Sequence, residues 1–177
     1  MIELQKVSKT YNAGTVTEMC LFDGFDLTVA DGEFVSVVGS NGSGKTSLLN
    51  IICGSMPFDS GTLLLDGKDI AGLKEYERYR RIGRVYQNPA AGTCPHLTIL
   101  ENMSLADNKG KRFGLSRGVN RARRDFYREQ LREVGLGLED KLDVEVGSLS
   151  GGQRQAVALI MATLTPVDIL ILDEHTA

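Results

Sequence analysis

A chain of 177 residues with 42% hydrophobic content can bury one compact core with room for a smaller lobe. A net charge of −3 supplies no global field toward nucleic acid or an anionic membrane, and no apolar run approaches the roughly 18 residues that a membrane helix needs. Cys20, Cys53 and Cys94 are odd in number and form no CxxC pair, which argues against a disulfide framework or a zinc site and fits a reducing, cytoplasmic compartment.

Along the chain, Ile2, Leu4 and Val7 open in a strand-like pattern, and Leu21–Val29 alternates as a second strand. Glu33–Gly39, "EFVSVVG", is short, β-branched and stopped by glycine, which predicts a buried strand. Lys45–Cys53 carries apolar residues at helical spacing and is ended by Gly54. "GTLLLDGKDI" predicts a strand, a turn at Asp66-Gly67 and a resumption, and Arg81–Gln87 a further strand.

From Leu97 to about Val134 the periodicity becomes helical, with Phe126, Leu131 and Val134 expected on the inner side of an arginine-rich helix ended by Gly135 and Gly137. The basic residues Lys109, Lys111, Arg112, Arg117, Arg121, Arg123, Arg124, Arg128 and Arg132 stand among few acids here, and a solvated helix face is the expectation. A helix then starts at Ser150, and "VDILILDE" is an apolar strand ending in two acids. Strands, a helical insert, a helix and a buried strand predict an α/β core with a helical lobe.

Three segments carry chemistry. "GSNGSGKTS" runs from Gly39 through Ser40, Asn41, Gly42, Ser43, Gly44, Lys45 and Thr46 to Ser47, between a predicted strand and a predicted helix. That is the P-loop pattern in its supporting context. Bare backbone N–H groups can curl around an anion, the helix start adds a positive dipole end, Lys45 supplies a point charge for terminal phosphates, and the Thr46 hydroxyl can hold Mg²⁺. Asp173 and Glu174 end the apolar strand, where open α/β sheets place their ligand crevice. Asp173 is assigned to the metal and Glu174 to the attacking water. "LSGGQ", Leu149 to Gln153, forms a second bare helix start; taken alone it reads first as a serine N-cap and only second as an anion site.

Together "GSNGSGKT", "LSGGQ" and "ILILDE" resemble the ATP-binding subunits of ABC transporters across essentially the whole chain. The resemblance implies an α/β P-loop NTPase fold with an N-terminal antiparallel β subdomain and an inserted helical lobe. Residues 1–87 and 155–177 would form the nucleotide-binding core, and residues 88–154 the lobe ending in "LSGGQ". It implies ATP hydrolysis with Mg²⁺, Tyr11 stacked on adenine, and Gln87 at the metal or water. It also implies a head-to-tail dimer in which Ser150, Gly151, Gly152 and Gln153 close on the partner's γ-phosphate. The implied partners are that second ATP-binding subunit, a transmembrane permease at the cytoplasmic face of the membrane, and an extracytoplasmic binding protein, with no nucleic acid.

Two departures qualify the resemblance. His175 follows Glu174 where the family usually has proline, a variant similar to bacterial importer ATPases for amino acids or small solutes. The family also continues past the position of Ala177 into two strands and a histidine that contacts the γ-phosphate, a role neither His96 nor His175 can fill. The expectation is therefore a C-terminally truncated subunit that binds ATP and hydrolyses it weakly, with the Asp173 strand left as an edge. A soluble ABC ATPase acting on nucleic acid and a non-hydrolysing nucleotide-binding fragment remain the alternatives.

Overall fold

The computed structural model describes residues 1–111 and 118–173. The fold comprises two compact units, Met1–Tyr79 and Arg80–Ala177.

The first unit is built on an antiparallel sheet in the order β2-β1-β3-β4, from β1 (Ile2–Tyr11), β2 (Met19–Val29), β3 (Ser60–Leu65) and β4 (Lys68–Asp69). Alternation places Ile2, Leu4, Leu63 and Leu65 on the inner face, all at most 2% exposed. Register follows from that burial, with Ile2 opposite Leu65 and Leu4 opposite Leu63. The expected Asp66-Gly67 turn joins β3 to β4, and both residues take positive φ, 52° and 72°. That combination is what a two-residue hairpin between Leu65 and Lys68 requires.

Helix α1 (Lys45–Cys53) has its predicted bounds and ends at Gly54. Its terminal carbonyls are satisfied by the buried Arg78, on α2 (Glu75–Arg78). The Arg78 guanidinium donates to the carbonyls of Ile51 (2.8 Å), Ile52 (3.1 Å), Leu73 (3.2 Å) and Ala71 (2.8 Å). A cation against the negative end of a helix is favourable, and here it also closes the loop that follows.

The segment 33–39 departs from expectation. Residues 34–39 form no strand, and Phe34 and Val38 are 89% and 86% exposed. A strand exists only through a ladder, and among the described residues none pairs with this one. Its β-branched composition met the propensity criterion but could not supply a neighbour.

In the second unit β5 (Ile82–Val85) and β6 (Ile169–Leu172) pair in parallel, with Ile82 opposite Ile169 and Val85 opposite Leu172. The sequence predicts a buried strand for β6, but only Ile171 is buried while Leu170 and Leu172 are 39% and 37% exposed. β5 is its one paired neighbour among the described residues, so the other edge carries no ladder there.

Helices α3 (Ile99–Asp107), α4 (Arg124–Arg132) and α5 (Gly151–Thr163) enclose a core that includes Ile99, Met103, Tyr127, Leu131, Val157 and Ile160. α3 starts at a capping box, with Thr98 Oγ1 accepting from the Glu101 N–H and Glu101 accepting from the Thr98 N–H. On α4 the inner face is Tyr127 and Leu131, one helical turn apart, while Phe126 and Val134 are 39% and 37% exposed. The Tyr127 hydroxyl decides that rotation, because it donates to the buried Asp107 at 2.9 Å. Phe126 instead lies under the Arg123 guanidinium at 4.1 Å.

The basic run proves less bare than its sequence implied. Arg124 pairs with Asp143 (2.6 Å), Arg128 with Asp125 (2.9 Å), and Arg123 and Lys111 with Asp107 (2.8 and 3.4 Å). Acids distant in sequence supply two of those partners, and the charge is largely balanced locally. Arg112 and Arg117 lie outside the described residues.

Burial and the bond to Asp107 push the Tyr127 phenol from 10.0 up to about 12. A raised folded-state value means a contribution fully present below pH 10.0 and lost as pH rises through about 12. A shift of this size corresponds to roughly 2–3 kcal/mol. Urea unfolding of the wild type should therefore lose stability across that window, and Tyr127→Phe, already weaker at neutral pH, should show a flatter profile. Equal alkaline slopes for the two proteins would remove Tyr127 as the cause.

Candidate functional site

The glycine loop folds so that its backbone faces solvent. Residues 39–43 are exposed, and the Ser43 N–H donates to the Ser40 carbonyl at 3.2 Å. Gly42 and Gly44 take φ of 83° and 92°, a conformation that side-chain-bearing residues rarely adopt. At Gly39 the constraint is space, since an added Cβ would sit 2.6 Å from Ser43 Oγ.

Lys45 spans this loop. Its ammonium donates to the carbonyls of Gly39 (2.8 Å) and Ser40 (2.9 Å), which holds the cation against the start of the loop. α1 begins at Gly44 with no side-chain cap and no acid in its first turn. The N–H groups that most helices cap internally are thus left to an external acceptor, and the dipole favours an anion there. Bare donors, an ammonium bonded to the loop and no carboxylate in the first turn fit a phosphate chain. Thr46 and Ser47 occupy the first turn, and the Tyr11 hydroxyl lies 3.3 Å from Ser47 Oγ and donates to Met56 Sδ at 3.1 Å. The structure thus brings Tyr11, at the end of β1, to the start of α1.

In the second unit, Gln87 follows β5 by two residues and Asp173 follows β6 directly, so both stand at the carboxyl ends of paired parallel strands. Gln87 is exposed. The Asp173 N–H continues the ladder to the Val85 carbonyl at 3.0 Å. Its carboxylate accepts from Arg84 Nη2 at 3.1 Å, with the side chains 4% (Arg84) and 13% (Asp173) exposed. Sequence reasoning missed Arg84, because its relation to Asp173 depends on strand register. Glu174 and His175 lie outside the described residues. Among the described residues no cluster of three or more His, Cys, Asp or Glu could hold a metal on its own.

Ser150 is an N-cap. Its Oγ accepts from the Gln153 N–H, and the Gln153 side chain accepts from the Ser150 N–H, both at 3.3 Å. Gly151 and Gly152 are exposed, and a Cβ on either would meet nothing within 4 Å. Nothing in the described chain requires glycine at these two helical positions, where alanine would favour the helix by up to about 1 kcal/mol.

Comparison with known proteins agrees with this geometry. A family model described as "ABC transporter" matches residues 22–177. The tyrosine transport ATP-binding protein of Clostridioides difficile is 42% identical over 177 residues, covering all of this chain and 70% of that protein. The spermidine/putrescine import ATP-binding protein PotA of Haemophilus influenzae is 35% identical over 176 residues, covering 98% of this chain and 42% of that protein. The chain thus spans less than half the length of that second relative. Among solved structures, a dimeric ATP-binding cassette in a post-hydrolysis state with ADP and Pi superposes with a TM-score of 0.80 at 26% identity, over 99% of this chain and 88% of that one. With the glycine loop, the bare "LSGGQ" helix start and the α/β architecture all in place, the chain belongs to the ABC transporter family.

Proposed function

We propose that this chain is the ATP-binding and ATP-hydrolysing part of a transporter that imports an amino acid or similar small solute. The loop geometry carries the reading: Lys45 bridges two loop carbonyls, and the helix it opens has no side-chain cap and no acid in its first turn. The likeness to a tyrosine transport ATP-binding protein supports the solute class.

Residues 39–47 would hold the phosphates of ATP, with Tyr11 against the adenine. Thr46 and Asp173 would hold Mg²⁺ with phosphate oxygens, and Gln87 would sit at the metal or the water. A bound Mg²⁺ would offset charge on the terminal phosphates. Lys45 stabilises charge that develops there, and Glu174 orients water or takes its proton for in-line attack. Ser150, Gly151, Gly152 and Gln153 would close on the ATP held by a second subunit, with Ser150 and Gly152 at its γ-phosphate. The dimeric cassette among its structural neighbours supports that arrangement. Residues 1–87 and 155–177 would serve as the nucleotide core and residues 88–154 as the lobe that meets a permease. The assembly would lie on the cytoplasmic face of the membrane and serve an extracytoplasmic binding protein. Among the described residues no helix is long and apolar enough to cross a membrane, so a permease would supply the pathway.

Phosphate release from ATP tests the reading. Glu174→Gln should lower turnover at least about a hundredfold while ATP binding persists, because the amide cannot accept the proton of water. Wild-type turnover in that variant would overturn the assignment of Glu174.

A further inference from the structure

At the end of β1 a lysine is drawn out of water. The Lys9 side chain is only 13% exposed, although lysine is among the residue types least often buried. Its ammonium donates to Asp59 Oδ1 at 3.0 Å and lies 5.8 Å from the centre of the Tyr11 ring, within the range of a cation–π attraction. Asp59 grips the same strand twice more. Its Oδ2 accepts from the Thr10 N–H at 2.6 Å, and its own N–H donates to the Ser8 carbonyl at 2.9 Å. The bonds from Thr10 and Lys9 hold the Asp59 carboxyl below the ordinary carboxylate range, so it is charged at neutral pH. The far end of Tyr11 is fixed too, since its hydroxyl lies 3.3 Å from Ser47 Oγ and donates to Met56 Sδ at 3.1 Å. All of these residues belong to the first unit, as does the glycine loop.

We propose that Asp59, acting through Lys9 and Thr10, is a positioning residue that holds the Tyr11 ring in place for a nucleotide base. The proposal rests on the reading of Tyr11 as the surface against adenine. A free tyrosine side chain turns about two torsions, and stacking with a base stops both. In this chain the hydroxyl end is tethered to the first turn of α1, and the Lys9 cation takes one face of the ring. The other face is left to the base. The ring is therefore ordered before nucleotide arrives, and less of the stacking energy is lost to ordering it.

Calorimetric titration of the full chain with ATP and with inorganic triphosphate tests this, because triphosphate can meet the glycine loop but has no base. Asp59→Ala and Lys9→Ala should each bind ATP about fivefold more weakly than the wild type and bind triphosphate unchanged. Asp59→Asn, which keeps an oxygen for the Thr10 N–H, should lose less. In a Tyr11→Ala background, Asp59→Ala should cause no further loss. Circular dichroism reports whether each variant folds, and Lys9→Ala carries the test if Asp59→Ala does not. Wild-type ATP affinity in the folded variants overturns the proposal. An equal loss for ATP and triphosphate also overturns it, since that marks a general loosening of the unit. A further loss on adding Asp59→Ala to Tyr11→Ala does the same, because Asp59 would then act by another route. A Tyr11→Ala protein that binds ATP as tightly as the wild type would instead overturn the reading of Tyr11 against adenine.

Discussion

Lys45→Ala is expected to weaken ATP binding by about a hundredfold, equivalent to about 3 kcal/mol. Two losses combine. The ammonium is the one side-chain cation within the glycine loop, and it supplies the charge that terminal phosphates meet. It also ties the carbonyls of Gly39 and Ser40 together at 2.8 and 2.9 Å, so the loop loses its internal brace. Charge-assisted bonds to phosphate are worth about twice neutral ones, which sets the magnitude. Lys45→Arg separates the two effects, since a wider planar head keeps the charge but does not fit between two adjacent carbonyls in the same way. Fluorescent ATP-analogue titration measures both, and thermal melting checks the fold, which should hold because Lys45 is only partly buried. Near-wild-type affinity in Lys45→Ala would remove the loop from the binding site.

The largest expected loss of stability is at Asp107. Its side chain is 5% exposed and gathers the Tyr127 hydroxyl, Arg123 and Lys111 at 2.9, 2.8 and 3.4 Å. Asp107→Ala leaves a fully buried phenol without its acceptor and opens space at the end of α3. The cost should be about 3 kcal/mol, or roughly 10 °C in melting temperature for a chain of this size. Most of it comes from the buried Tyr127 hydroxyl, because Arg123 and Lys111 are 40% and 56% exposed and can turn to water. Asp107→Asn, which keeps an acceptor oxygen, should therefore lose only about half as much. Calorimetry decides, and an Asp107→Ala protein melting within a degree of the wild type would show that the cluster carries no stability.

Local signals were strong where the chemistry is local. The bounds of α1, the Asp66-Gly67 hairpin and the Ser150 cap each rest on residues within a few positions of one another, so glycine conformation, helix spacing and capping were legible directly. The failures share a different cause. Residues 34–39 have strand composition without a ladder, and β6 has strand composition with one neighbour. On α4, periodicity alone favoured Phe126 and Val134, whereas a bond to Asp107, twenty positions away, turned Tyr127 inward.

The sequence by itself determined the phosphate-binding loop, because bare backbone, lysine and helix start are contiguous and their conformations follow from the residues present. It also determined the family, whose motifs are short and ordered. Only the tertiary structure decided that Arg84 meets Asp173, since 89 residues separate them and parallel register alone places both on one face of the sheet. The same holds for the charge balance of the basic run, where Arg124 finds Asp143 across 19 positions. Pairing of strands and of distant charges depends on which surfaces the folded chain brings together, a property that no local window of residues contains.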